Sequence, residues 1–197
     1  MSRRLLINLV LGQSALTLLG LLLVWVTQRQ VSLWGTSGIL ALLWGVLGAL
    51  VSYALVWWLA RSPGVFGDHL RRAVEKIVPL FQGMSWFWLV VLSLLAGVGE
   101  EILFRAFLQQ WLVDHMGALA GISLATLVFA GLHYLSLPYC LVVFALGLLL
   151  ALAYHFTQSL MLVMVWHSLY DLIALGFLAR LPETLTSRSK PVGSFLQ

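Results

Sequence analysis

Long apolar runs without a charge constrain this chain more than any other feature. None of the residues from Leu5 to Val26, or from Gly38 to Ala60, is Asp, Glu, Lys, Arg or His. A run of about 18–20 such residues is what a helix needs to cross the hydrocarbon of a bilayer. Hydrocarbon offers backbone N–H and C=O groups no partner, so a spanning segment must be a helix or part of a closed barrel. The alternating pattern of a barrel strand is absent. Charged residues make up 9% of the chain against 61% hydrophobic, whereas a soluble domain covers its surface with roughly a quarter charged residues. The expectation is an all-α, polytopic transmembrane helix bundle, with residues 1–197 forming a single membrane domain.

About six spans can be drawn. The first two are the runs above. The basic start Met1-Ser2-Arg3-Arg4 leads into the first without a small-residue cleavage site, so that helix is expected to be retained. A polar stretch from Arg61 to about Lys76 interleaves Leu70, Val74, Ile77 and Val78 with charges, the pattern of an amphipathic helix on the membrane surface. The third span runs from about Met84 to Val113, long enough to tilt or to break near Gly97-Val98-Gly99. Asp114-His115-Met116-Gly117 forms the next turn, and the fourth span covers about Ala118 to Leu135. Gly117 and Gly121 at its start have the spacing that allows close helix approach. A fifth span covers Tyr139 to Phe156 and a sixth Leu160 to Ala179, followed by a polar tail over 180–197.

Basic residues orient the bundle. Arg3, Arg4, Arg61, Arg71, Arg72, Lys76, Arg180, Arg188 and Lys190 fall on one side of six spans, and the opposite loops hold only Arg29. The positive-inside rule then places both termini in the cytoplasm. The modest net charge of +4 is spread between apolar runs, which suits lipid headgroups and not nucleic acid. The single cysteine, Cys140, excludes an intrachain disulfide and a cysteine-based metal site.

Four charged residues fall inside the spans: Glu100, Glu101, Arg105 and Asp171. His133 and His167 join them within apolar runs. A charge at mid-membrane costs at least about 2.5–3.5 kcal/mol, so such residues face partners or water and carry function. Glu101 and Arg105 stand i,i+4 and can form an ion pair on one face. Glu100 points about 100° away. His133 follows Phe129 by four residues, which sets ring beside imidazole, and His167 and Asp171 again stand i,i+4. Counted at 1.5 Å per residue from the span ends, Glu100 lies about 20 Å deep, His133 about 23 Å and His167 about 11 Å. The site is expected in the cytoplasmic half of the bilayer.

Together these residues resemble a known family. Glu100-Glu101-Ile102-Leu103-Phe104-Arg105 fits EExxxR, Phe129 to His133 fits FxxxH, and His167 to Asp171 fits HxxxN or HxxxD. These are the motifs, in order, of the CAAX-protease and bacteriocin-processing (CPBP, or Abi) family of intramembrane proteases, and they lie within residues 84–179. The resemblance implies an intramembrane endopeptidase acting on a hydrophobic or membrane-associated peptide or protein. It implies that Glu100 and His133 bind and activate a water, and that His167 and Asp171 stand where the oxyanion forms. Glu101 and Arg105 would be a structural ion pair.

The branch that trims prenylated proteins has Asn where this chain has Asp171. An Asn can donate to an oxyanion, and an ionised Asp cannot. Asp171 must be protonated, orient His167, or help hold a cation. Glu100, His133, His167 and Asp171 form a conceivable zinc ligand set, so a glutamate-type and a metallo-type hydrolase both remain open. The expected location is a bacterial plasma membrane, with the site opening toward the cytoplasm. Two other classes use the same residues: a proton or cation transporter relaying through the acids, and a non-catalytic immunity or scaffold protein. No inverted repeat of the transporter kind is present.

Overall fold

The computed structural model describes residues 3–184, all of them helix, turn or irregular chain without strands. The helices are α1 (Arg3–Val26), α2 (Leu40–Arg61), α3 (Val65–Phe81), α4 (Trp86–Glu101), α5 (Gln110–Met116), α6 (Ala118–Leu132), α7 (Leu137–Thr157) and α8 (Leu160–Arg180). A π-helical segment, Ile102–Gln109, joins α4 to α5, so Trp86–Met116 is one continuous helix. Among the described residues five helices are long and apolar enough to cross a membrane. The expected fourth span is the exception: α6 has 15 residues, about 22 Å at 1.5 Å per residue. It ends before His133 and not at Leu135. The chain is a multi-pass helical membrane protein. Of the polar tail, everything past Thr184 lies outside the described residues.

Local sequence explains the helix ends. Ser136 caps α7 by accepting from the Tyr139 N–H, with Pro138 in the first turn where its missing N–H costs nothing. Ser159 caps α8 by accepting from the Leu162 N–H. Gly117, at φ 81°, turns the chain between α5 and α6. The turn expected over Asp114–Gly117 is thus confined to Gly117, because the helix runs on through Met116. Asp114 pairs with Arg29 across the loop that follows α1.

The expected break at Gly97-Val98-Gly99 is absent. Both glycines are contact points: a Cβ on Gly97 would collide with Ser168 of α8, and one on Gly99 with Thr17 of α1. The helix stays regular there and departs from α geometry only after Glu101. Gly121 behaves as its spacing suggests, since a Cβ would come within 2.5 Å of the Val113 N.

Helix α8 lies at the centre, packed on α2 and α4, while α1 runs along α4 and α6 lies between α5 and α7. Amphipathic α3 buries Gly67, Leu70 and Ala73, with Leu70 in one apolar cluster with Ala60 and Val142. Asp68, His69, Arg72 and Lys76 are exposed. Arg71 pairs with Asp68 and donates to the Ala60 carbonyl, which ties α3 to the end of α2.

Candidate active site

Each intramembrane ionisable residue is placed by a different local device. Glu100 and Glu101 close the regular part of the long helix, and Arg105 lies one turn on, within the π segment. π-helical turns are rare and concentrate at functional sites. His133 is the C-cap of α6, where the backbone leaves the helix at φ −100° and ψ 16°. Its Nδ1 lies 2.8 Å from the Phe129 carbonyl, an acceptor, so Nδ1 carries the hydrogen and Nε2 faces inward. The Phe129 ring lies beside the imidazole at 4.7 Å between centroids, as the FxxxH spacing suggests. His167 and Asp171 are successive turns of α8.

The six residues meet. Glu100 Oε2 lies 3.6 Å from His133 Nε2 and 3.9 Å from His167 Nε2. Asp171 Oδ2 lies 3.7 Å from the same His167 nitrogen. The unequal depths counted along the spans do not keep the residues apart. The start of α8 is tied to the loop after α1, its Leu160 and Met161 N–H groups donating to the Ser32 and Leu33 carbonyls.

The ion pair is present, with Arg105 Nε 3.2 Å from Glu101 Oε2 and both side chains fully buried. Arg105 also donates from Nη2 to the Gly147 carbonyl and lies 4.9 Å over the Phe129 ring. Burial at 0% exposure means that neither charge has water as an alternative partner, so each depends on the other. Glu101 does more than brace the helix. Its Oε1 lies 2.7 Å from His167 Nδ1, a charge-assisted hydrogen bond that fixes the ring and aims Nε2 at Glu100 and Asp171. Of the three options for Asp171, orienting His167 is thereby filled by Glu101.

Two side chains remain partly open, His133 at 34% and Asp171 at 28%, while those of Glu100 and His167 are below 10%. The cluster therefore has a closed acidic floor and an accessible rim. Among the described residues, no group of three or more His, Cys, Asp and Glu side chains is arranged to hold a metal ion.

One contributor went unnoticed in the sequence. Gln13 of α1 donates from Nε2 to Glu100 Oε1 at 3.0 Å. It is a polar break in an otherwise apolar span, but a search restricted to ionisable residues passes over it. Cys140 is partly buried and donates weakly to the Ala130 carbonyl, outside the cluster.

The family model of the type II CAAX prenyl endopeptidase, Rce1-like, matches residues 82–173. That segment is Rce1-like. The CPBP resemblance read from the three motifs is borne out, and all of Glu100, Glu101, Arg105, Phe129, His133, His167 and Asp171 lie within the match. Gln13 and the first three helices lie outside the Rce1-like segment. No curated protein and no solved structure matches the chain.

Proposed function

We propose that this chain is an intramembrane endopeptidase that hydrolyses a peptide bond in a hydrophobic or membrane-associated peptide or protein, of CAAX type or a peptide precursor. The observation that carries the reading is the placement of Glu100 Oε2. It has no hydrogen-bond partner among the described residues, yet faces the Nε2 atoms of two histidines at 3.6 and 3.9 Å. Those distances exceed a direct hydrogen bond and leave one oxygen atom within reach of all three. The Rce1-like match supports protease activity in general.

The donor and acceptor pattern supplies a mechanism. His133 gives its Nδ1–H to Phe129, so neutral His133 accepts at Nε2. Glu100 Oε2 accepts as a carboxylate. A water donating one hydrogen to each presents its lone pair away from both, toward an incoming carbonyl carbon. As the water oxygen bonds to that carbon, its proton passes to Glu100 Oε2 and the carbonyl oxygen becomes an oxyanion. His167, with Nδ1–H given to Glu101, donates from Nε2 in its imidazolium form, and Asp171 donates when protonated. The C–N bond then breaks as Glu100 returns its proton to the leaving nitrogen, the double role of a general acid–base. No step is routed through a metal. The partly open rim includes His133 at the end of α6, an end that the positive-inside charge bias favours on the cytoplasmic side.

The test is cleavage by the purified protein of a prenylated CAAX peptide, its unprenylated form and a hydrophobic precursor peptide. Glu100→Gln is expected to lower kcat by about 10²–10⁴-fold, the usual weight of a general base, with the thermal transition retained. Undiminished cleavage by folded Glu100→Gln would sink the mechanism. Proton or cation flux in liposomes without cleavage would move the protein to the transporter class.

A further inference from the structure

Helix α1 is the most lipid-exposed of the spans, with Gly20 its only buried residue among those described. Its one inward face nevertheless lies along the acidic turn of α4. A Cβ on Gly20 would come within 2.9 Å of the Leu103 N, and Thr17 occupies the space beside Gly99. These contacts flank Glu100 on both sides and fix how far α1 can slide along α4. Gln13, Thr17 and Gly20 stand four and three residues apart, on one stripe of the helix. Thr17 Oγ1 also donates to the Gln13 carbonyl at 2.9 Å. The stripe sets the Gln13 amide against Glu100, with Nε2 donating to Oε1 at 3.0 Å. The direction of that bond is fixed, because a carboxylate oxygen only accepts.

We infer that Gln13 is a positioning residue for Glu100: it holds Oε1 so that Oε2, the oxygen facing His133 and His167, is the one presented to water. This rests on the proposed role of Glu100. Without the amide, the carboxylate can rotate about its terminal torsion, which is broad and two-fold, and either oxygen can meet the histidines or neither. The glycine contacts hold α1 in register without the amide, so its removal acts on the site and not on the helix packing.

The test uses Gln13→Met, which keeps length and loses the donor, and Gln13→Asn, which keeps the amide but draws it back by one methylene. In the full chain, Gln13→Met is expected to lower kcat about ten- to hundred-fold, the weight of one hydrogen bond to a charged group, with KM within about two-fold. Gln13→Asn should fall between it and the parent. A second readout needs no turnover: the infrared carboxylate band assigned to Glu100 by its loss in Glu100→Gln should shift in Gln13→Met. An unchanged kcat and an unmoved band in either folded variant overturn the inference. A shifted band in a protein that cleaves nothing keeps the contact and removes the proposed function, so the two can fail separately.

Discussion

The outer helix α2 and the inner stretch from α4 through the π segment are both apolar spans, but they are held in opposite ways. The residues that α2 buries are small: Ala41, Gly45, Ala49, Ser52 and Ala60. Its large residues, among them Leu43, Trp44, Leu50 and Trp58, point outward. The inner stretch buries Glu100, Glu101, Arg105 and Gln109. Lipid tails are as apolar as Leu, so no hydrophobic force drives helices together within the bilayer. Association relies on close packing of small residues and on polar contacts. The outer helix is attached mainly by shape, with one cross-helix hydrogen bond from Trp166 Nε1 to Ser52 Oγ, and the inner one adds charge and hydrogen bonds to its glycine contacts. A substitution therefore acts very differently in the two places.

The largest effect is expected at Arg105. Arg105→Met leaves Glu101 Oε2 fully buried without its cation, with only the His167 contact at Oε1 remaining, and should cost about 3–5 kcal/mol of stability, read from unfolding in detergent. Adding Glu101→Gln should recover much of that loss, and a double variant no better than the single would refute the charge account of the inner stretch. Next is Gly45→Val on α2. A Cβ there would come within 2.8 Å of the Leu162 carbonyl, a backbone atom that cannot step aside, so overpacking should cost about 1–3 kcal/mol. Smallest is Leu43→Ala, on the outward face of the same helix, expected to change stability by no more than about 0.5 kcal/mol. If Leu43→Ala proves as costly as Gly45→Val, the outward face of α2 is covered by something more specific than lipid.

The contrast also explains which parts of the structure the sequence made visible. Spans and the buried polar cluster stand out because charge in an apolar run is costly and therefore rare; Glu100, Glu101, Arg105, His133, His167 and Asp171 announce themselves that way. The i,i+4 spacing correctly paired Glu101 with Arg105 and set Phe129 beside His133. Spacing within one helix says nothing about the partner across the bundle. The bond from Glu101 to His167 was hidden for that reason, and Gln13 was hidden because an uncharged amide costs less in lipid than a charge. Gly97 and Gly99 suggested a break, since glycine both loosens a helix and lets another approach. Ser168 and Thr17 decide in favour of approach, and neither lies near them in sequence. The fourth helix is shorter than its apolar run, because the apolar character of Tyr134 and Leu135 continues past the point where His133 ends the helix.

The π segment gives the long helix a property that its composition does not suggest. Glu100 and Glu101 sit just before it, while Gln110, which contacts Tyr154 of α7, sits just after it. The two halves dock on different neighbours, and eight residues wound outside α geometry set the angle between them. Deleting one residue from Ile102–Gln109 would turn one half against the other by about 100°. Either the acids would leave His167 or the distal half would leave α7. The length of this stretch is therefore constrained separately from its buried side chains, Arg105 and Gln109 among them, and a deletion that spared both would still misalign the two halves.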